Sequence, residues 1–301
     1  MPERSATVRV PATSANLGPG FDCLGVALDW TADIRLTLSD TPQPRPEGPI
    51  ERMVVSAALS LYTRAALEPP AGIAARWDGD IPVGRGMGVS AAARVAGLLA
   101  ADALLDIGPD GVGHDREALL LLATQLERHG DNAAPALFGG LQVVVAEDDV
   151  VTHVGLEAPS DLQVALLIPE FSMPTEESRE KLPERLTRNQ AVHNIGRAAM
   201  LVAALTQRRY DLLEIATEDV LHQPARATIF TAMYPIFQAA RDAGALGVFL
   251  SGGGPTIAAF VRSGAEQVAN SMREAAAARG VEATTRVCRL RTAGAEIIAR
   301  G

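Results

Sequence analysis

Apolar and polar residues alternate through residues 5 to 12, the period-two signature of a strand with one face buried. Pro11 and the run Thr13, Ser14, Asn16, Gly18, Pro19 and Gly20 predict that the strand stops there and opens into a long polar loop. Two further strands are predicted over Cys23 to Trp30 and Asp33 to Leu38, followed by a proline-rich surface loop, TPQPRPEGP, and a helix over residues 51 to 67. A strand from Gly72 to Trp77 leads through Asp80, Ile81 and Pro82 into GRGMGVS. From Ser90 to Leu105 the spacing is helical with little polarity on any side, which predicts a buried helix. Glu117 to Glu127 predicts another helix, and FGGLQVVVA a strand leaving a tight glycine turn.

A new unit begins near 150. It carries a strand from Gln163 to Ile168, helices near 189 to 207, 210 to 220 and 228 to 243, a strand in GVFLSGGGPTIAAFV, and a closing helix and strand. Helices and strands are interleaved irregularly and several strands are short and hairpin-like, so the fold class is α+β rather than a regular parallel sheet, with domains 1–150 and 151–301.

Composition narrows the function. At 301 residues the chain exceeds a typical domain of ~100–200 residues, and 48% hydrophobic with 21% charged residues is ordinary for a globular protein. A net charge of −9 and 4% aromatic residues argue against a nucleic-acid partner, because an anionic surface repels phosphate and stacking platforms are scarce. An anionic chain still binds a nucleotide where a helix N-terminus, a metal ion or a few arginines supply local positive potential. Cys23 and Cys288 lie far apart without metal-ligand spacing, there is no export-signal pattern, and no run of about 18 uncharged apolar residues occurs, so a cytoplasmic protein with no membrane span is expected.

The chemistry concentrates first in PVGRGMGVSAAA. Gly84, Gly86 and Gly88 stand ahead of the alanine-rich helix, where glycine lets backbone N–H groups converge on an anion and the helix dipole favours it. Ser90 at the helix start has the chemistry to donate to a phosphate or to ligate Mg²⁺; it is equally an ordinary N-cap. Walker A is excluded, since the only lysine is Lys181, and GxGxG is not the dinucleotide GxGxxG.

With these residues in view, PVGRGMGVSAAARVAGL resembles the phosphate loop of the GHMP kinases, P-x-x-x-G-L-G-S-S-A-A, departing at Val89, where the family has a serine. The resemblance implies nucleotide and phosphate contacts from Gly84, Arg85, Gly86, Met87, Gly88, Val89, Ser90 and Ala91, with one hydroxyl fewer than usual. Two more stretches are similar to the homoserine kinases of that family, and a third resembles the last glycine motif of the family at large. VPATSANLGPGFDCLGVAL implies that Asn16 and Asp22 hold the ammonium of homoserine, although by composition alone both read as turn formers. LERHGDNAAPALFGG implies Glu127 as the Mg²⁺ ligand opposite Ser90 and Asn132 as the partner of the substrate hydroxyl; Arg128 and Gly130 depart from the family's Gly and Pro. GALGVFLSGGGPTIAAF implies a glycine turn against the phosphate loop, with Gly253 at the nucleotide and Ser251, Gly252, Gly254 and Thr256 in support. Arg179 in TEESREKLP and Arg226 in LHQPARATIF are implied as a clamp on the substrate carboxylate. His129 invites a base or ligand role, but no histidine repeats at ligand spacing and the family does not hold metal with histidine.

The resemblance therefore implies the two-domain GHMP fold, ATP and Mg²⁺ as cofactors, and phosphorylation of the L-homoserine hydroxyl to O-phospho-L-homoserine in threonine biosynthesis, with Asn132, Ser90 and Glu127 as the catalytic set. It also implies a possible homodimer. Two alternatives stay open: a GHMP kinase for another small alcohol, and a nucleotide-binding regulator motivated by Val89. At the adenine end Arg52 stands where the family commonly has Asn.

Overall fold

The structure is a computed structural model, and it describes residues 3–105, 115–147, 149–173 and 175–301. In chain order the strands are β1 (Arg4–Asn16), β2 (Gly20–Ser39), β3 (Gly72–Asp78), β4 (Leu141–Glu147), β5 (Val150–Leu156), β6 (Gln163–Pro169), β7 (Gly247–Leu250), β8 (Ile257–Val261), β9 (Ala283–Arg289) and β10 (Glu296–Arg300). The helices are α1 (Pro49–Arg64), α2 (Val89–Leu104), α3 (Arg116–Glu127), α4 (Ala133–Phe138), α5 (Thr175–Glu180), α6 (Arg188–Thr206), α7 (Leu213–Ala216), α8 (Gln223–Ala227), α9 (Met233–Asp242) and α10 (Ala265–Ala277), with a 3₁₀ turn at Tyr210–Leu212. No described helix is long and apolar enough to cross a membrane.

The class is α+β, and every strand pairing among the described residues is antiparallel. One sheet runs β10-β1-β2-β4-β5 with β3 paired to β2; the other runs β7-β8-β6-β9. The first sheet is organised by β2, twenty residues long. Trp30, Ala32, Ile34, Leu36 and Leu38 point inward while Thr31, Asp33, Arg35 and Thr37 are more exposed, and this alternation runs through Thr31 without a break. The two strands expected over 23–30 and 33–38 are therefore one. Likewise β1 does not stop at Pro11: it continues through Thr13 and Ser14 to Asn16, and the missing N–H of Pro11 is absorbed where the register shifts between Pro11 and Thr13.

Along β6, Val164, Leu166 and Ile168 join the larger core, which also holds α1, α2 and the first sheet; Ala165 and Leu167 face a second core built on α9 and α10. Both faces of β6 are thus buried, which accounts for its continuous apolar run. Because the larger core spans both sheets, the two halves of the chain are packed rather than tethered. The expected division near 150 falls inside the β4–β5 hairpin, and β10 returns to pair with β1. The helix expected over 228–243 starts at Met233, after the short α8, and GVFLSGGGPTIAAFV is two strands joined by a turn.

Candidate functional site

The phosphate-loop segment between β3 and α2 has left-handed backbone at Gly84, Gly86 and Gly88, with φ of 69°, 76° and 65°. A Cβ on Gly86 would lie 2.2 Å from the Ser251 carbonyl oxygen, and one on Gly88 would lie 1.8 Å from Thr13 Oγ1 and 2.8 Å from Asn132 Oδ1. Gly86 and Gly88 are thus required by both torsion and close approach, and Gly84 by torsion alone. Gly88 supplies no side chain to cap α2, which leaves the first-turn N–H groups free to meet an anion. The side chains alternate: Met87, Val89 and Ala91 are buried in the interior, whereas Gly84, Arg85, Gly86 and Ser90 are at least partly exposed. Val89 belongs to the apolar core, so its contribution at the loop is its N–H alone. Met87 and Ala91 are turned inward in the same way, so what these three positions present toward the loop is backbone.

The SGGG turn between β7 and β8 braces this loop. Ser251 Oγ donates to the Gly86 carbonyl at 2.6 Å and shares a hydrogen bond with Ser14 Oγ at 2.7 Å, and Thr256 N–H donates to the Arg85 carbonyl at 3.3 Å. Ser251, Gly252, Gly254 and Thr256 are buried, leaving Gly253 partly exposed. Arg85 donates to the Glu170 carbonyl.

At the start of α2, Ser90 Oγ donates to Glu127 Oε2 at 2.8 Å, and Arg94 one turn later donates to Glu127 Oε1. A hydroxyl and a carboxylate oxygen thus converge, the hard-oxygen pair that Mg²⁺ accepts. Arg94 was not anticipated from sequence; its spacing of four from Ser90 put it on the same helix face. Next along, Thr13 Oγ1 donates to Asn132 Oδ1 at 2.7 Å, and buried Asp131 accepts from Asn132 N–H at 2.9 Å and shares a 2.6 Å contact with His129 Nδ1. Burial works to lower the His129 pKa, but the hydrogen bond and charge of Asp131, with Asp22 and Glu127, outweigh it and hold the imidazole above its usual value. Asp22, His129 and Asp131 each bring one ligand atom within 4.8 Å of the others.

The opposite end is made of charged side chains. Asn16, the last residue of β1, and Asp22, in the first residues of β2, both adopt left-handed backbone on either side of the β1–β2 turn, with φ of 68° and 58°. Asn16 Oδ1 accepts from the Asp22 N–H at 3.0 Å while its Nδ2 donates to the Gly252 carbonyl at 2.8 Å. Its amide is thereby engaged at both ends, so it holds the turn and keeps one lone pair for a ligand. Arg179 grips Asp22 with two bonds of 2.9 and 2.6 Å. Arg226 is 1% exposed, donates to the Gly252 carbonyl at 2.9 Å and to His222 Nδ1 at 2.7 Å, and has no carboxylate within ion-pair range among the described residues. Burial, then the charge of Arg179, bring its pKa down to about 10. The Phe21 ring lies 5.3 Å from the Arg179 guanidinium carbon and 5.6 Å from that of Arg226. Burial, then the charges of Asp131 and Asp22, push Cys23 beside them up to about 11.

The structure brings several of the residues expected from sequence together: Ser90 meets Glu127, Gly88 lies beside Asn132, and Asp22, Asn16, Arg179 and Arg226 are joined directly or through the Gly252 carbonyl, whereas the side chains of Met87, Val89 and Ala91 turn into the core. Known proteins are similar to this chain over most of its length. A homoserine kinase from Moorella thermoacetica is 40% identical over 287 residues, 93% of this chain and 95% of that protein. The chain belongs to the GHMP kinase family. The family's N-terminal domain matches residues 52–140 and its C-terminal domain residues 200–278. A homoserine kinase from Deinococcus radiodurans is 41% identical over 86% of this chain and 85% of its own length. The crystal structure of a homoserine kinase from Cytophaga hutchinsonii superposes with a TM-score of 0.86 at 30% identity, covering 98% of this chain and 97% of that one. A mevalonate diphosphate decarboxylase from Staphylococcus aureus, at 16% identity and a TM-score of 0.68, shares the fold. Family membership implies ATP as the phosphoryl donor.

Proposed function

We propose that the protein transfers the γ-phosphoryl group of ATP to the side-chain hydroxyl of L-homoserine, giving O-phospho-L-homoserine and ADP. The observation that carries this reading is the buried, carboxylate-free guanidinium of Arg226 beside an Asp22–Arg179 ion pair. A buried arginine without an anion is costly, and a ligand carboxylate relieves that cost. A zwitterionic amino acid does more: its carboxylate takes Arg179 and Arg226, and its ammonium takes the Asp22 carboxylate that Arg179 gives up. A zwitterion leaves the net charge of the site unchanged, Asp131 adds a second carboxylate, and Asn16 Oδ1 offers a neutral acceptor. Whole-chain similarity to homoserine kinases supports the same substrate.

In this reading the N–H groups at the start of α2 cradle the phosphates, and the helix dipole steadies the charge on the moving phosphoryl group. Ser90 and Glu127 would hold Mg²⁺, which when bound neutralises phosphate charge. Asn132, fixed by Thr13 and Asp131, orients the hydroxyl with its Nδ2. The phosphoryl transition state is loose, so alignment and electrostatics suffice without a strong base. A cytoplasmic location accords with two free cysteines, and a homodimer with the Val192 and Ile195 side chains exposed on α6. A coupled ADP-release assay across homoserine, mevalonate, galactose and shikimate tests the reading: homoserine is expected to give the highest kcat/KM, and a preference for any of the other three contradicts it.

A further inference from the structure

His222 lies at the N-terminus of α8, outside every set of residues expected from sequence. It is fully buried, and its ring is held at both nitrogens: Nε2 is 2.7 Å from the Gly18 carbonyl oxygen and Nδ1 is 2.7 Å from Arg226 Nη1. These contacts fix its state. A carbonyl oxygen only accepts, so Nε2 carries the proton; a guanidinium only donates, so Nδ1 presents its lone pair. The imidazole is neutral. Burial, opposed by Asp219 and reinforced by Arg226, draws its pKa down to about 4. Asp219 lies 3.7 Å from Nε2, but its oxygens already accept from the N–H groups of Leu221, His222 and Gln223 and from Asn194 Nδ2. The Phe21 ring covers the imidazole at a centroid distance of 5.4 Å.

We propose that His222 is the positioning residue of Arg226: a neutral acceptor that aims the guanidinium at the carboxylate of the phosphoryl acceptor and ties it to the β1–β2 turn that carries Asn16 and Asp22. The inference rests on the reading in which Arg226 meets that carboxylate. Its physical content is the choice of acceptor. A carboxylate at 222 would orient Arg226 more strongly, but it would also neutralise it and compete with the incoming anion. A neutral imidazole orients the group while leaving its charge for the ligand. The Gly18 link then sets the distance between the guanidinium and the Asp22 carboxylate, hence the spacing of anion and cation that the site accepts.

The test compares L-homoserine with 3-aminopropan-1-ol, the same molecule without its carboxylate, taken as substrate or as competitive inhibitor. The ratio of the two specificities does not depend on how much of a variant is folded. His222→Leu is expected to lower that ratio about 30-fold, the scale of a lost hydrogen bond to a charged group. His222→Asn, which keeps an oxygen acceptor near the Nδ1 position, should bring the ratio back to within about fivefold of the parent, and the ATP KM should stay within about twofold in both. An unchanged ratio in His222→Leu, or an equal fall in both variants, overturns the proposal. Arg226→Ala separates the layers. If it leaves the ratio unchanged, the substrate reading fails and the inference with it; if it lowers the ratio while His222→Leu does not, only the inference fails. Should neither His222 variant fold, ¹⁵N NMR of the parent's imidazoles decides: the Nε2–H tautomer of His222 at neutral pH is expected, and an Nδ1–H tautomer or an imidazolium contradicts the positioning role.

Discussion

The two ends of the site are built from different materials. At the proposed phosphate end the groups on offer are mostly backbone, from three left-handed glycines and the N-terminus of α2, joined by one hydroxyl and one carboxylate, with the side chains of Met87, Val89 and Ala91 turned into the core. At the proposed acceptor end the backbone serves mainly as scaffold for side chains: Arg179 pairs with Asp22, Arg226 and Asn16 meet at the Gly252 carbonyl, and His222 holds Arg226. A phosphate chain is common to all substrates of the fold, so a surface of N–H groups suffices for it. An amino-acid acceptor must be told from other alcohols, and that requires placed charges. The phosphate end should therefore be sensitive to added atoms, and the acceptor end to removed charge.

The largest expected effect breaks the phosphate end. Gly88→Ala places a Cβ against Thr13 and Asn132 at a positive φ, and kcat/KM for both substrates should fall about 1,000-fold, the scale of losing an oriented electrostatic site. Steady-state kinetics with each substrate varied in turn reads it; a fall confined to homoserine would contradict the backbone account. At the other end, Arg226→Ala should raise the homoserine KM about 100-fold while the ATP KM moves less than about threefold. Equal changes would place Arg226 outside the acceptor site.

Acid sharpens the contrast through His222. Its folded pKa of about 4 lies below the usual 6.5, so the unfolded chain binds the proton more readily. Stability from this group is full above pH 6.5, falls as pH drops below it, and goes on falling until pH passes the folded value near 4. Between pH 6.5 and 5 the loss is about 2 kcal/mol, read as the difference between the parent and His222→Asn in urea unfolding. A parent that loses no more stability than the variant over that window would refute the buried neutral imidazole. The smallest effect is expected from Val89→Ser. Because Val89 faces the core, the restored hydroxyl should leave the ATP KM within about twofold and instead lower stability by about 1–2 kcal/mol. A tenfold tighter ATP KM would show the side chain reaching the nucleotide.

The phosphate end was legible in sequence because glycine spacing ahead of an alanine-rich helix states its backbone geometry directly. Even there, Val89 read as a lost hydroxyl, since which side of a loop a residue faces is set by packing against β1 and the SGGG turn, not by local spacing. At the acceptor end the residue types were visible and their partners were not. The Arg179–Asp22 pair joins positions 157 apart in sequence, and Asn16 meets Gly252 across 236 residues. Arg94 escaped notice for the same reason, since Glu127 lies 33 residues away; His222 stands only four residues before Arg226, and what the sequence did not display is its contact with the Gly18 carbonyl across 204 residues. In the fold, β5 and β10 were missed. The first is mostly exposed and lacks an apolar run; the second is a short edge strand whose pairing with β1 closes the chain back on its start. Splitting β2 at Thr31 gave too much weight to a polar residue where the alternation itself continued.

Phosphorus-31 NMR of the reaction mixture tests the central claim most directly, with ATP and Mg²⁺ supplied together with L-homoserine, 3-aminopropan-1-ol or 4-hydroxybutyrate. The account predicts a new phosphate-monoester resonance with L-homoserine, accumulating far faster than with either analogue, because each analogue lacks one of the two charges the acceptor end recognises. Equal accumulation with all three, or none with L-homoserine while another alcohol is phosphorylated, would contradict it.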